Sequence, residues 1–230
     1  ITELLQELHK LLPLKYGHDD LLGCVVQRRS THEIFIHQRP MLEDIVRTCG
    51  AQHLNPVATP MAKDAASRDL RKLEPGEATT DASLYRTIVG KLLYPANLTR
   101  PDLSPTVGRL ARYMVNPGAR HMAMVKRALR YLKGTTDRGL LYRRGVVTDM
   151  SRALVAFSDS DWATDLDDRR STTGYCTFLG ECLIAWKAIK QDLTALSSTH
   201  AEYVALAFTC QFVLFLRDLL KEIGFAQSEA

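Results

Sequence analysis

The order of elements in the last third of the chain constrains its fold more than any other feature. Four apolar strand candidates occur there, at 139–142, 153–157, 174–179 and 183–186. Asp159 follows the second of them, and Glu202 stands in the first turn of a long amphipathic helix predicted from Ser198 to Ile223. A run of strands followed by a helix favours an α+β or three-layer unit, in which two such carboxylates can meet over a sheet edge.

Strand-like and helical patterns alternate in the first part of the chain. Residues 21–27 and 33–38 are predicted to form two paired strands, and the apolar spacing from 41 to 49 predicts a helix that stops at Gly50. Several prolines and few periodic apolar positions predict an extended linker over 55–80.

Three helices are predicted in the middle of the chain. The first is capped by Asp81 or Ser83, and Pro95 should end or kink it; its apolar residues are Leu84, Ile88, Leu92 and Leu93. The second opens at Pro101.

In the C-terminal helix, the predicted apolar stripe consists of Val204, Phe208, Phe212, Phe215 and Leu219.

The third of the middle helices, between Gly118 and Gly134, combines an apolar stripe with basic residues. Its inward positions, at steps of three and four, are Met122, Val125, Leu129 and Leu132. Its other positions include Arg120, Lys126, Arg127, Arg130 and Lys133. These cations either follow the phosphates of a nucleic acid or form an ordinary solvated face, and charge pattern alone leaves both readings open.

Asp159 and Glu202 are candidate metal ligands, and Asp161 shares a face with Asp159 if the strand continues. Two-metal nucleases need three or four converging carboxylates, and carboxylate oxygens suit Mg²⁺. The same residues are also typical of a solvated strand end and of a carboxylate that complements a helix N-terminus capped by Ser198 or Thr199.

Composition and charge exclude several classes of protein. No apolar run among the 230 residues is long enough to span a bilayer, and the first residues lack the pattern of a secretory signal. The five cysteines form no CxxC motif and are odd in number, which favours reduced thiols over a disulfide framework or a zinc site. A net charge of +4 is compatible with nucleic acid but does not diagnose it.

A series of short motifs covers most of residues 20–222. They are Leu21-Leu22-Gly23 with Gln38, Thr59-Pro60-Met61, residues 85–94, Thr99-Arg100-Pro101-Asp102, residues 121–135 with Gly139-Leu140, residues 158–163, Trp186 with Lys190-Gln191, and residues 198–206. In this order they resemble the C-terminal part of the reverse transcriptase, followed by the ribonuclease H, of copia-type retrotransposon Pol polyproteins.

The resemblance implies roles for the candidate residues. Asp159 matches the first metal-binding aspartate of the ribonuclease H, and Glu202 matches its metal-binding glutamate, so both are the expected catalytic residues and ligands of Mg²⁺ or Mn²⁺. His200 replaces a glutamate that we interpret as non-catalytic. The expected partner is an RNA:DNA hybrid or a template–primer duplex, contacted by Lys126, Arg127, Arg130 and Lys133.

Two departures from the family pattern bear on activity. The paired-aspartate turn of the polymerase does not occur, since Asp19-Asp20 stands in a different context just before Leu21. The third and fourth ribonuclease H aspartates are expected beyond Ile223 and have no counterpart. Half of a carboxylate cluster cannot fix two ions, so the pattern predicts a degenerate or truncated copy.

We therefore expect an α/β (α+β) chain in three parts: a reverse transcriptase palm remnant (1–60), a helical thumb/connection region (61–150) and a truncated ribonuclease H-like three-layer domain (151–230). The predicted function is that of a catalytically incomplete Pol fragment inside the cell, cytoplasmic or nuclear. Its expected partners include the remainder of the polyprotein if the frame continues, but no membrane and no small-molecule cofactor.

Two alternatives stay open at this stage. One is an active divalent-metal ribonuclease H in which Asp161 or Asp165 completes the site. The other is a domesticated, non-catalytic interaction module that binds no nucleic acid.

In the predicted fold, Asp165, Asp167 and Asp168 lie in a solvated loop between strands.

Overall fold

The computed structural model describes residues 20–62, 70–145 and 149–228. Its first sheet is antiparallel, in the order β1-β2-β3-β4. The strands are β1 (Asp20–Leu21), β2 (Cys24–Ser30), β3 (Glu33–His37) and β4 (Gly139–Arg143). The predicted hairpin is confirmed, and β4 joins it from beyond the helices. Residues 1–19 of the predicted palm remnant and 63–69 of the predicted linker lie outside the described residues.

Helices fill the chain between β3 and β4. They are α1 (Arg39–Thr48), α2 (Ala82–Leu98), α3 (Ser104–Ala111) and α4 (Ala119–Lys133), with a 3₁₀ turn at Pro101–Leu103. Their apolar faces share one core, which includes Leu42, Val89, Leu92, Val107 and Leu132. All four predicted inward residues of α4 are buried, so its apolar stripe is confirmed.

Pro95 does not end α2, so that part of the prediction is wrong, while the alternative of a kink stays a prediction. The helix continues to Leu98, and the Pro95 carbonyl accepts hydrogen bonds from the amides of Thr99 (3.0 Å) and Arg100 (2.8 Å). Proline removes its own donor and clashes with the preceding turn, but it leaves the turn after it able to form. Of the predicted apolar residues, Ile88 and Leu92 are buried, whereas Leu84 is exposed and Tyr85 is buried beside it.

The described part of the predicted linker is extended but packed. Residues 52–59 lie along α4, and Leu70 is fully buried in the helical core. Thr79 forms an antiparallel bridge with Gly118, at the start of α4. This segment therefore contributes to the core instead of crossing solvent.

A second antiparallel sheet follows, in the order β5-β6-β7. It consists of β5 (Leu154–Asp161), β6 (Thr172–Leu179) and β7 (Cys182–Lys190), after a 3₁₀ turn at Met150–Arg152. The helix α5 (Ser198–Glu222) packs on β5 and β6. Trp186 Nε1 donates to the Ala96 carbonyl of α2 at 2.8 Å, which ties this sheet to the helices. The mixed α/β class is confirmed, and all five cysteines are free thiols.

The buried face of α5 differs from the predicted stripe. The buried residues are Ala201, Ala205, Thr209, Leu216 and Leu220. Four of these stand one residue beyond a predicted position, which corresponds to a rotation of about 100° around the helix axis. The small side chains at 201, 205 and 209 let the helix approach the sheet, whereas Phe215 remains 58% exposed. By length and composition alone α5 could cross a bilayer, which the sequence analysis did not expect.

Candidate functional site

The strand β5 sends alternate side chains to the two faces of the second sheet. Ser158 lies opposite Tyr175, whose ring packs against Phe212 of α5 with centroids 5.2 Å apart. Asp159 lies opposite Gly174 in the next register position, so its side chain leaves the sheet on the face away from α5. There it lines a cavity of about 260 Å³.

Glu202 reaches β5 from the other side. It is the fifth residue of α5, so it lies beyond the first turn, contrary to the prediction. Ser197 caps the helix by accepting a hydrogen bond from the His200 amide at 3.1 Å, in place of the predicted Ser198 or Thr199. Glu202 Oε1 accepts from the Ser160 amide at 3.2 Å, on the edge of β5 that no strand among the described residues covers. The His200 ring is also engaged, since its Nδ1 accepts from the Leu196 amide at 3.3 Å.

The two predicted metal ligands therefore approach the same stretch of β5 from opposite faces of the sheet, and their joint role in binding a metal stays a prediction. Ser160 N is one peptide bond from Asp159, so Glu202 Oε1 lies within about 6 Å of the Asp159 Cα. Asp159 and Glu202 line different pockets, so the two carboxylates do not face a shared Mg²⁺ position in this arrangement. Within the described ranges, no group of three His, Cys, Asp or Glu side chains could hold a metal ion, and this statement includes the neighbourhood of the exposed Asp161.

Asp165 is not solvated, contrary to the prediction. Its side chain is 2% exposed, and Oδ2 accepts from Arg112 at 2.8 Å and from Lys190 at 2.7 Å. Burial alone would raise the pKa of Asp165, but the hydrogen bonds from Lys190 and the Asp167 amide, with the charges of both cations, hold that pKa below its usual value. Asp165 thus joins the residue just after α3 to β7 of the second sheet, and its carboxylate is already paired with two cations. Asp167 and Asp168 are exposed, as predicted.

The basic residues of α4 divide into two groups. Lys126 is exposed, as predicted. Arg127, Arg130 and Lys133 are half-buried and donate hydrogen bonds to oxygens of residues 52–59 at distances between 2.7 and 3.0 Å. The prediction of solvent-facing side chains is therefore wrong for these three, because the packed linker supplies their acceptors. Their role as nucleic-acid contacts stays a prediction.

Two features of the first sheet and its surroundings escaped the sequence analysis. Arg29 and Arg138 line the same groove although more than a hundred residues separate them, and only the pairing of β3 with β4 brings them together. Arg100 is fully buried. The signal for Arg100 was its place in the 99–102 motif, but the motif did not reveal that its charge is internal.

Comparisons with known proteins identify the family. No family model matches the chain, and no solved structure gives a significant match. The chain is 40% identical over 210 residues to the retrovirus-related Pol polyprotein from transposon RE2 of Arabidopsis thaliana, and 38% identical over 210 residues to that from RE1 of the same plant. It is 32% identical over 214 residues to the corresponding protein from transposon TNT 1-94 of Nicotiana tabacum.

These alignments cover 90–91% of the chain but only 14–16% of each relative. The chain thus corresponds to a small part of those polyproteins. The motifs along residues 20–222 and the extent of the alignments lead to one assignment. The chain belongs to the retrovirus-related Pol polyproteins of copia-type transposons.

Proposed function

We propose that the chain is the part of a copia-type Pol polyprotein that runs from the reverse transcriptase into the ribonuclease H, and that it binds nucleic acid without a complete catalytic site. The observation that supports this proposal is that the described residues contain no group of three metal-binding side chains, although the Glu202 carboxylate contacts β5 one residue from Asp159. The whole polyprotein would serve reverse transcription of the element's RNA and hydrolysis of RNA in RNA:DNA hybrids, in the cytoplasm or nucleus.

The chemistry of the donor set supports this division between binding and catalysis. Asp159 and Glu202 are the expected ligands of Mg²⁺ or Mn²⁺, and a bound ion of this kind polarises a phosphate oxygen and lowers the pKa of a coordinated water. Efficient hydrolysis at phosphorus uses two ions, which stabilise the attacking and the leaving oxygens together. Two carboxylates that do not face a shared ion position cannot hold both ions, so the chain supports weak ion binding at most and no efficient cleavage.

A turnover assay on an RNA:DNA hybrid with labelled RNA tests the catalytic part of the proposal. With Mg²⁺ or Mn²⁺, the wild-type chain should cleave no faster than Asp159→Asn or Glu202→Gln. Asp192→Asn is the matched control, because it removes an exposed carboxylate just after β7. Cleavage that Asp159→Asn abolishes and Asp192→Asn preserves would overturn the proposal in favour of an active ribonuclease H.

A non-catalytic interaction module is the second candidate, on the strength of one observation. Large apolar side chains remain exposed along α5, including Tyr203 (68%), Leu214 (56%) and Phe215 (58%). Continuous apolar surface of this kind is typical of protein-binding sites. The module predicts no nucleic-acid binding even at low salt, whereas the proposed function predicts binding that weakens as salt rises. Titration of the chain against a labelled hybrid at low salt separates the two.

A further inference from the structure

The two faces of the first sheet differ in chemistry. On one face Cys24, Ile36 and Leu140 line an apolar cavity that α2 helps to close. On the opposite face, Phe35 and His37 occupy alternate positions of β3. Phe35 lines a groove of about 420 Å³ between the sheet and the turn that precedes α3.

Arginines stand on both sides of this groove, and aromatic rings hold them. The Arg29 guanidinium lies 3.9 Å from the centroid of the Phe35 ring, which in turn lies 5.1 Å from the His37 ring. Across the groove, Arg138 donates to the Tyr131 hydroxyl at 2.9 Å. Each guanidinium is therefore restricted in position while the residue that bears it remains exposed.

A third arginine adds to the positive charge on this face. Arg39 begins α1 two residues beyond His37 and is exposed. The pKa of His37 is lowered, first by burial and then by the positive charges of Arg39 and Arg29. Within the described part of the chain, neither Arg29 nor Arg39 has an acidic partner. The local potential around His37 is thus positive.

The acidic groups nearby do little to cancel this potential. Asp102 lines the groove but is engaged by Arg100, with Nη2 to Oδ2 at 2.7 Å. Glu33, at the end of β3, pairs with Arg143 at 3.0 Å. Asp137 remains as an exposed carboxylate on the groove wall. The three arginines outnumber it, so an anion is favoured over a cation here.

We infer that this basic face of the first sheet, defined by Arg29, Phe35, Arg39 and Arg138, is the main contact for the phosphodiester backbone of a duplex or RNA:DNA hybrid. The inference rests on the proposed function and names the surface that performs it. Planar guanidinium groups match phosphate oxygens in pairs, and stacking on an aromatic ring orients Arg29 before binding. The helix α4 has fewer cations available for phosphates, because three of its four predicted contact residues already donate hydrogen bonds to residues 52–59.

The number of arginines sets the expected salt dependence. Three phosphate contacts on duplex DNA give a slope of log K against log salt of about −2.7, so affinity should fall about 40-fold between about 50 mM and about 200 mM salt. Each contact removed should reduce the magnitude of that slope by about 0.9. The backbone is common to all sequences, so two duplexes of different sequence should bind alike.

The experiment compares two double variants that remove the same charge from exposed positions. Arg29→Gln with Arg39→Gln alters the basic face, and Arg47→Gln with Arg86→Gln alters α1 and α2 instead. Fluorescence anisotropy with a labelled DNA duplex and a hybrid of the same sequence gives affinity and slope at several salt concentrations. Thermal melting should show both variants folded, because all four residues are exposed.

The outcomes separate the inference from the function on which it rests. We expect the basic-face variant to bind weakly with a slope near −0.9, and the matched variant to retain the wild-type slope. Equal loss in both variants, or loss confined to the matched variant, would overturn the basic face as the contact while leaving nucleic-acid binding in place. No binding by the wild type at low salt would overturn the proposed function itself.

Discussion

Arg100 offers the sharpest test of how the helical core is held together. Its side chain is 1% exposed. Nε and Nη2 donate to the two oxygens of Asp102 at 3.0 and 2.7 Å, and Nη1 donates to the Thr135 carbonyl at 2.8 Å. The Tyr131 hydroxyl donates to the same carboxylate at 2.6 Å. The network therefore connects the turn before α3 with the end of α4.

Replacing Arg100 by Met preserves much of the volume but leaves Asp102 without its cation. Breaking a buried ion pair from one side typically lowers the free energy of unfolding by about 3–5 kcal/mol. For a chain of this size, that corresponds to a fall in Tm of roughly 6–20 °C. Arg47→Met is the control, because Arg47 pairs with Asp44 at the surface, where such pairs contribute about 0.2–1 kcal/mol.

The same pair predicts how the difference varies with pH. Burial would raise the pKa of Asp102, but the hydrogen bonds from Arg100 and Tyr131 and the charge of Arg100 hold it below its usual value. A carboxyl with a lowered folded pKa binds protons more readily when unfolded. Its stabilisation is complete above about pH 4 and is lost as the pH falls through the folded value.

Thermal melting of the wild type, Arg100→Met and Arg47→Met at neutral pH and at about pH 3 gives the comparison. The wild type should lose stability in acid relative to Arg100→Met, so their melting temperatures should converge. A fall in Tm for Arg100→Met no larger than that for Arg47→Met would refute the reasoning. A gap that widens in acid would refute the assignment to Asp102.

Two further changes test other parts of the structure. Asp165→Asn should lower the free energy of unfolding by about 2–3 kcal/mol in urea titrations, because Arg112 loses a buried charged acceptor. An effect as small as that of Asp167→Asn would contradict the buried role. Gly139→Ala should lower it by about 1–3 kcal/mol, because the new Cβ would lie 2.3 Å from the Ile36 carbonyl oxygen. An unchanged melting temperature would show that β3 and β4 do not pair as described.

Much of the fold was predictable because local patterns agreed with the tertiary structure. The spacing of apolar residues in α4 identified its buried face, and alternating apolar strands identified the hairpin. The stripe of α5 was mispredicted because that helix is apolar on nearly all sides, and periodicity alone cannot choose among several apolar faces. The position of Pro95 near the end of α2 let the helix finish its last turn.

The candidate site shows the same limit more clearly. The approach of Glu202 to β5 beside Asp159 followed from the order of strand and helix, whereas the orientation of the Asp159 side chain away from α5 did not. The burial of Asp165 could not be foreseen, since its partner Arg112 lies 53 residues away, just after α3. Nor could the sequence show that cations of α4 donate hydrogen bonds to backbone oxygens of residues 52–59. Every residue has a backbone carbonyl, so the residue types in a segment do not indicate which carbonyls accept hydrogen bonds. Tertiary contacts decided both cases.

β3 and β4 lie side by side although 110 residues separate Glu33 from its partner Arg143. During synthesis at about 5–20 residues per second, the β2–β3 hairpin leaves the ribosome roughly 5–20 s before the strand that completes it. A hairpin alone is marginally stable in water, and its uncovered edge can pair with other chains. The entropic cost of closing so long a loop falls once the intervening helices have packed. We therefore expect the helical core to form before Gly139 pairs with His37, so that closure of the first sheet is a late step of folding.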